Sequence, residues 1–141
     1  MVCRCVTVGY LYVIGGNSGE SMLAEMDIVN MKTLEVKKGP PMNSKRDEVG
    51  LAVGEDNNIY AFGGYGGSSN DYLSTCERFN PKKNKWEMIA SMKRPRRSLC
   101  CVICPDAIYC LAGYDGKSYL STVEKYAQSN MQVRCDHKYL V

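Results

Sequence analysis

A short run of aromatic and branched residues closed by glycine occurs three times in this chain at a nearly constant interval. That periodicity restricts the fold more than any other property. LYVIGG (Leu11 to Gly16) returns as IYAFGG (Ile59 to Gly64) and as IYCLAG (Ile108 to Gly113), so Tyr12, Tyr60 and Tyr109 stand 48 and 49 residues apart. A fixed period of this length marks an array of similar units, each burying its apolar face against the next. Runs of this composition bounded by Gly, Asp and Asn predict β-strands. The closing glycines (Gly15 and Gly16, Gly63 and Gly64, and Gly113) permit the positive φ or close backbone approach of a tight turn.

Other strands recur in step. DIVN begins at Asp27, ERFN at Glu77 and EKYA at Glu124, 50 and then 47 residues on. In the middle copy a third strand, KWEMIASM (Lys85 to Met92), follows the turn formers Asn80-Pro81-Lys82-Lys83-Asn84, and its first-copy counterpart ends at Met42. A fourth runs from Ser98 to Cys104, and from Val49 to Val53 one copy earlier, each ahead of a turn. Four short strands in every 50 residues or so predict the blade of an all-β propeller.

Composition agrees with a folded protein: of 141 residues, 45% are hydrophobic and 23% charged, too apolar for a disordered chain. A net charge of +3 is too small to be the footprint of a nucleic-acid binder. No apolar run approaches the roughly 20 residues that span a bilayer, and the N-terminus lacks a secretory signal pattern, so neither membrane nor nucleic acid is expected as a partner. Cys100, Cys101 and Cys104 lie in one apolar run, which fits packed, reduced thiols in a cytoplasmic protein better than a disulfide framework.

Strand, double glycine, Glu77-Arg78-Phe79-Asn80-Pro81, then Trp86 six residues after the Asn resembles the kelch repeat, and in spacing the chain is most similar to the kelch-like adaptor proteins. The resemblance runs from about Tyr10 to Tyr126, and in the middle copy Gly63-Gly64, Tyr72, Trp86 and Met92 all match. It implies a kelch β-propeller fragment of about two and a half to three four-stranded blades, with repeats near 10–56, 57–105 and 106–133. The chain departs from the pattern at Val36 and Val133, which stand where the middle copy has Trp86, and at Ala112, which replaces the first glycine. An interface aromatic buries roughly 150–250 Å², so the first blade is expected to pack less well. The tail, 127–141, has neither the Asn-Pro turn nor the Trp and is expected to be atypical.

Signals for chemistry are weak. Cys101-x-x-Cys104 has redox or zinc spacing, but no second such pair accompanies it, and positions three apart on a strand face opposite ways. His137 is the single histidine, which leaves no base for a serine nucleophile and no ligand set for a copper oxidase built on kelch blades. GGYGGSSND (Gly63 to Asp71) lacks the Lys-Ser/Thr of a phosphate cradle. The run Lys93-Arg94-Pro95-Arg96-Arg97 falls between strands and reads as a solvated loop facing a ligand rather than an import signal. The chain is accordingly expected to be neither an enzyme nor a holder of metal or cofactor.

The loops remain. Carried over by motif, three classes of position are implied to face a bound peptide: Tyr65 and Tyr114 after the glycines, Tyr72 and Tyr119 before Leu-Ser-Thr, and the pairs Arg97-Ser98 and Asp47-Glu48 that enter the fourth strand. Tyrosine and arginine are the residues that dominate interface hot spots. The resemblance implies a module that recognises a short segment of a substrate protein. Coupling to a cullin-type ubiquitin ligase would pass only through an upstream BTB domain and helical linker, neither of which lies in these residues. A cytoskeletal, actin-binding kelch protein is the alternative.

Overall fold

The computed structural model describes residues 3–127 and 132–138, with the backbone alone for residues 3, 4 and 132–138. The described residues form strands joined by turns. The first four are β1 (Cys3–Thr7), β2 (Tyr10–Ile14), β3 (Met26–Asn30) and β4 (Val36–Gly39), which make one antiparallel sheet in that order. After the two-residue strand β5 (Arg46–Asp47) comes a second sheet, ordered β6 (Gly50–Val53), β7 (Ile59–Phe62), β10 (Cys76–Asn80) and β11 (Lys85–Ile89). Between β7 and β10 lie the short strands β8 (Tyr65–Gly66) and β9 (Asp71–Tyr72), which pair with β5 in a small separate sheet. The third large sheet is β12 (Cys100–Cys104), β13 (Ala107–Leu111), β14 (Thr122–Ala127) and β15 (Gln132–Lys138).

Strand alternation explains how three sheets bury one another. In β7, Ile59 and Ala61 pack with Tyr12, Ile14, Met26, Phe79 and Trp86 at the seam with the first sheet. Tyr60 and Phe62 point the other way and pack with Cys76, Ile108, Cys110 and Tyr126 at the seam with the third. All four residues of β7 are therefore buried, the signature of a central layer. Three four-stranded sheets stacked face to face in sequence order form a fragment of a β-propeller.

Sequence copies and sheets are out of phase by one strand. The segments Val49–Val53 and Ser98–Cys104 read as the last strand of a copy, but Gly50–Val53 pairs with Ile59–Phe62, and Cys100–Cys104 with Ala107–Leu111, so each opens the following sheet. The physical reason is the short connection, residues 54–58 in one case and Pro105-Asp106 in the other, which can join only adjacent antiparallel strands. The strands also start later than expected, because Glu48 and Ser98 adopt φ of 52° and 51°. By the same offset the first sheet begins at Cys3 and is complete. The tail contributes β15, which pairs with β14 across a register shift at Thr122/Val123, so the third sheet also has four strands. The side chains of Val133 and His137 lie outside the described residues.

Val36, at the Trp86 position, is 63% exposed and fills no seam. Trp86 is buried against Phe79 with ring centroids 5.3 Å apart, and its Nε1 donates to the Pro40 carbonyl at 3.0 Å, joining the second sheet to the loop leaving the first. Gly63 has φ of 60°, and a Cβ there would lie 2.3 Å from the Arg96 carbonyl oxygen, so only glycine fits. Ala112 holds nearly the same backbone angle, φ 56°, at the corresponding place in the third copy.

Candidate functional site

Two buried ion pairs fix the loops that carry the candidate site. Arg46, in the connection between the first two sheets, is wholly buried and reaches Glu77 on β10, Nε and Nη2 donating to Oε1 at 3.0 and 2.9 Å. Its remaining protons go from Nη1 to the carbonyls of Gly63 and Thr75 and from Nη2 to the Thr75 hydroxyl, so every guanidinium donor is used. Glu77 in turn accepts the backbone N–H groups of Asn43 and Ser44 and the Asn43 side-chain amide. Arg96 and Glu124 repeat the arrangement one sheet later, with Nε and Nη2 at 3.2 and 3.0 Å from Oε1 and Lys93 and Arg94 donating their N–H groups. The sequence alone places Arg96 in a solvated basic loop, and the structure corrects this. It is 1% exposed, because its charge is matched by a buried glutamate 28 residues away that no local pattern reveals.

Each latched arginine delivers the next residues to a small crosswise ladder. Asp47 pairs with Tyr65, and Tyr65 with Tyr72, through β5, β8 and β9. One copy later Arg97 pairs with Tyr114, and Tyr114 with Tyr119. Arg97 and Tyr114 exchange backbone hydrogen bonds at 3.0 Å in both directions. In the first copy the equivalent bridge joins Asn17 and Met22, two positions that sequence reading missed and that the repeat alignment after Gly16 and before Leu23 could have found.

Side chains from these ladders converge. The Tyr65 and Tyr72 rings are 5.2 Å apart, Tyr72 and Tyr114 5.6 Å, and Tyr114 and Tyr119 5.1 Å, a continuous row that crosses from the second sheet's loops to the third's. The Arg97 guanidinium lies 5.9, 5.4 and 5.6 Å from the centroids of Tyr65, Tyr72 and Tyr114, within cation–π range of all three. Its Nε is 3.7 Å from Glu48 Oε2, the oxygen to which the Ser98 hydroxyl also donates. The Ser98 N–H donates to the Glu48 carbonyl, and the Asp47 carboxylate accepts the Glu48 N–H. The structure thus brings together Tyr65, Tyr72, Tyr114, Tyr119, Arg97, Ser98 and Glu48, with Asp47 at the ladder's edge.

The row is presented rather than buried: Tyr65, Tyr72 and Tyr114 are half-buried, and Tyr119 is 88% exposed. Rings held by one another and by a partly neutralised guanidinium offer a wide, pre-ordered contact area at low entropic cost. The geometry suits recognition of a polypeptide surface.

Stacked four-stranded blades whose connecting loops line up from sheet to sheet define a repeat module of the propeller class. Residues 56–93 and 95–127 match the Kelch motif, and the chain belongs to the kelch-repeat family. Among similar proteins, human Kelch-like protein 28 is 35% identical over 119 residues, 78% of this chain and 20% of that protein. Mouse Kelch-like protein 23 is 33% identical over 101 residues, 72% of this chain and 17% of that protein. Spermatocyte protein spe-26 of Caenorhabditis elegans is 29% identical over 123 residues, 84% of this chain and 22% of that protein. The chain spans about a fifth of the length of these relatives.

Proposed function

We propose that the tyrosine row around Arg97 binds a short extended segment of another protein, and that in a longer cytoplasmic polypeptide these blades choose the substrate of a cullin-type ubiquitin ligase. One observation carries the reading: tyrosines from the loops of two adjacent sheets are packed into one exposed row around a single guanidinium. Such a row has the composition of an interface hot spot. Similarity to kelch-like proteins supports an adaptor role. Ligase coupling would belong to parts of the polypeptide outside these blades.

Selection from a displayed library of random peptides on the immobilised chain tests the binding half. Enriched peptides are expected to lose affinity for Arg97→Ala and Tyr72→Ala, and peptides that bind both variants as they bind the parent would place recognition elsewhere. Cosedimentation with filamentous actin tests the cytoskeletal alternative. Pelleting that Arg97→Ala abolishes would assign the row to actin instead.

A further inference from the structure

Cys101 and Cys110 stand directly opposite one another on neighbouring strands, in register in the β12–β13 hairpin, and their sulfurs are 3.7 Å apart. Cys101 is half-buried and Cys110 buried, both turned into the seam with the second sheet. There the Cys101 sulfur occupies space left by a glycine: a Cβ on Gly50 would lie 2.6 Å from it. The other nearby thiols are differently placed. Cys104 lies on the opposite face of β12, with Val102, Tyr109, Leu111 and Val123. Cys100 is exposed, and Cys76 directs its thiol to the Ser74 carbonyl at 3.4 Å.

We propose that Cys101 and Cys110 form a dithiol site that small-molecule disulfides oxidise to an intrachain disulfide. The Cys101 thiolate attacks one sulfur of the oxidant RS–SR, forming a Cys101 mixed disulfide and releasing one RS⁻. Cys110 then gives up its proton and attacks the Cys101 sulfur, which releases the second RS⁻. The two protein thiols are oxidised, one S–S bond is broken and one formed, and RS–SR is reduced to two thiols. Cys101 reacts first because it is the less buried of the two, whereas the hydrogen bond with the facing Cys101 thiol and then burial hold Cys110 in its protonated form. The second step needs the sulfurs to close from 3.7 Å to about 2 Å, a short movement between side chains that register already places face to face. The seam with the second sheet would register the change, because one of the two sulfurs is packed over Gly50.

Oxidised glutathione is the probe. The full chain is incubated with it, free thiols are alkylated, and the protein is cleaved at Asp106, which separates Cys101 from Cys110. The expected product is a pair of fragments held together until reduction, lighter by two hydrogens than their sum, with Cys101 joined to Cys110. Cys101→Ser and Cys110→Ser should each abolish the cross-link, and Cys104→Ser should leave it intact. Joining of Cys110 to Cys76, Cys100 or Cys104 would overturn the assignment. So would a Cys101 glutathione adduct that persists while Cys110 stays free. If the serine variants do not fold, mapping of the parent chain decides the matter alone.

Discussion

Arg46 and Glu77 are both excluded from solvent and meet through two hydrogen bonds to a single carboxylate oxygen, at 3.0 and 2.9 Å. The pair holds the 43–46 connection against the second sheet, and the residues that follow Arg46 enter the candidate site. Removing one partner strands a buried charge. Arg46→Met is therefore expected to destabilise the chain by about 3–5 kcal/mol in urea unfolding. Arg46→Met combined with Glu77→Met should cost less than the sum of the single changes.

Trp86 fills the seam between the first two sheets and donates to the Pro40 carbonyl. Trp86→Ala should lower stability by roughly 3–5 kcal/mol, read from the denaturant midpoint. Trp86→Phe keeps most of the packing and loses the hydrogen bond, so a smaller loss is expected. A midpoint unchanged in Trp86→Ala would remove this residue from the seam.

Ala112 adopts a left-handed φ of 56°, where the other two copies carry glycine. A Cβ in that region costs about 1–2 kcal/mol, partly offset by the greater unfolded-state freedom of glycine. Ala112→Gly is expected to stabilise the chain by about 0.5–1 kcal/mol. Thermal unfolding of the two proteins measures it.

Alkaline conditions should weaken the fold. Burial pushes the Cys5 and Cys76 thiols up to about 12 from 9.0, and the Tyr126 hydroxyl up to about 12 from 10.0. Between these limits the folded chain holds more protons than the unfolded one. The stability that this linkage contributes is complete below about pH 9 and is lost as the pH rises towards 12. A melting temperature that is flat from about pH 7 to pH 8.5 and falls above pH 9 is expected, with a shallower fall in Cys76→Ala.

Much of the architecture is legible in the sequence alone, because apolar alternation and turn residues act locally. Tyr12, Tyr60 and Tyr109 mark equivalent strands in all three sheets. What escapes a linear reading depends on partners distant in sequence. The phase of strands Gly50–Val53 and Cys100–Cys104 is decided by pairing across short turns, and the burial of Arg96 by Glu124. Strand Gln132–Lys138 is recruited by the free edge of β14 although its own sequence has lost the repeat pattern. In the candidate site, motif matching locates the tyrosines and Arg97, but their contact across two sheets follows from the latches. The opposition of Cys101 and Cys110 follows from hairpin register, where spacing alone draws the eye to Cys101 and Cys104.

Arg97, within reach of three tyrosine rings, is the centre of the proposed protein-binding row. The most direct test is the dissociation constant of a library-selected peptide for the parent chain and for Arg97→Ala, with the melting temperature of both recorded. Loss of a hot-spot residue predicts about 30-fold weaker binding with little change in melting temperature. Equal affinities would contradict the assignment of this row as the site of recognition.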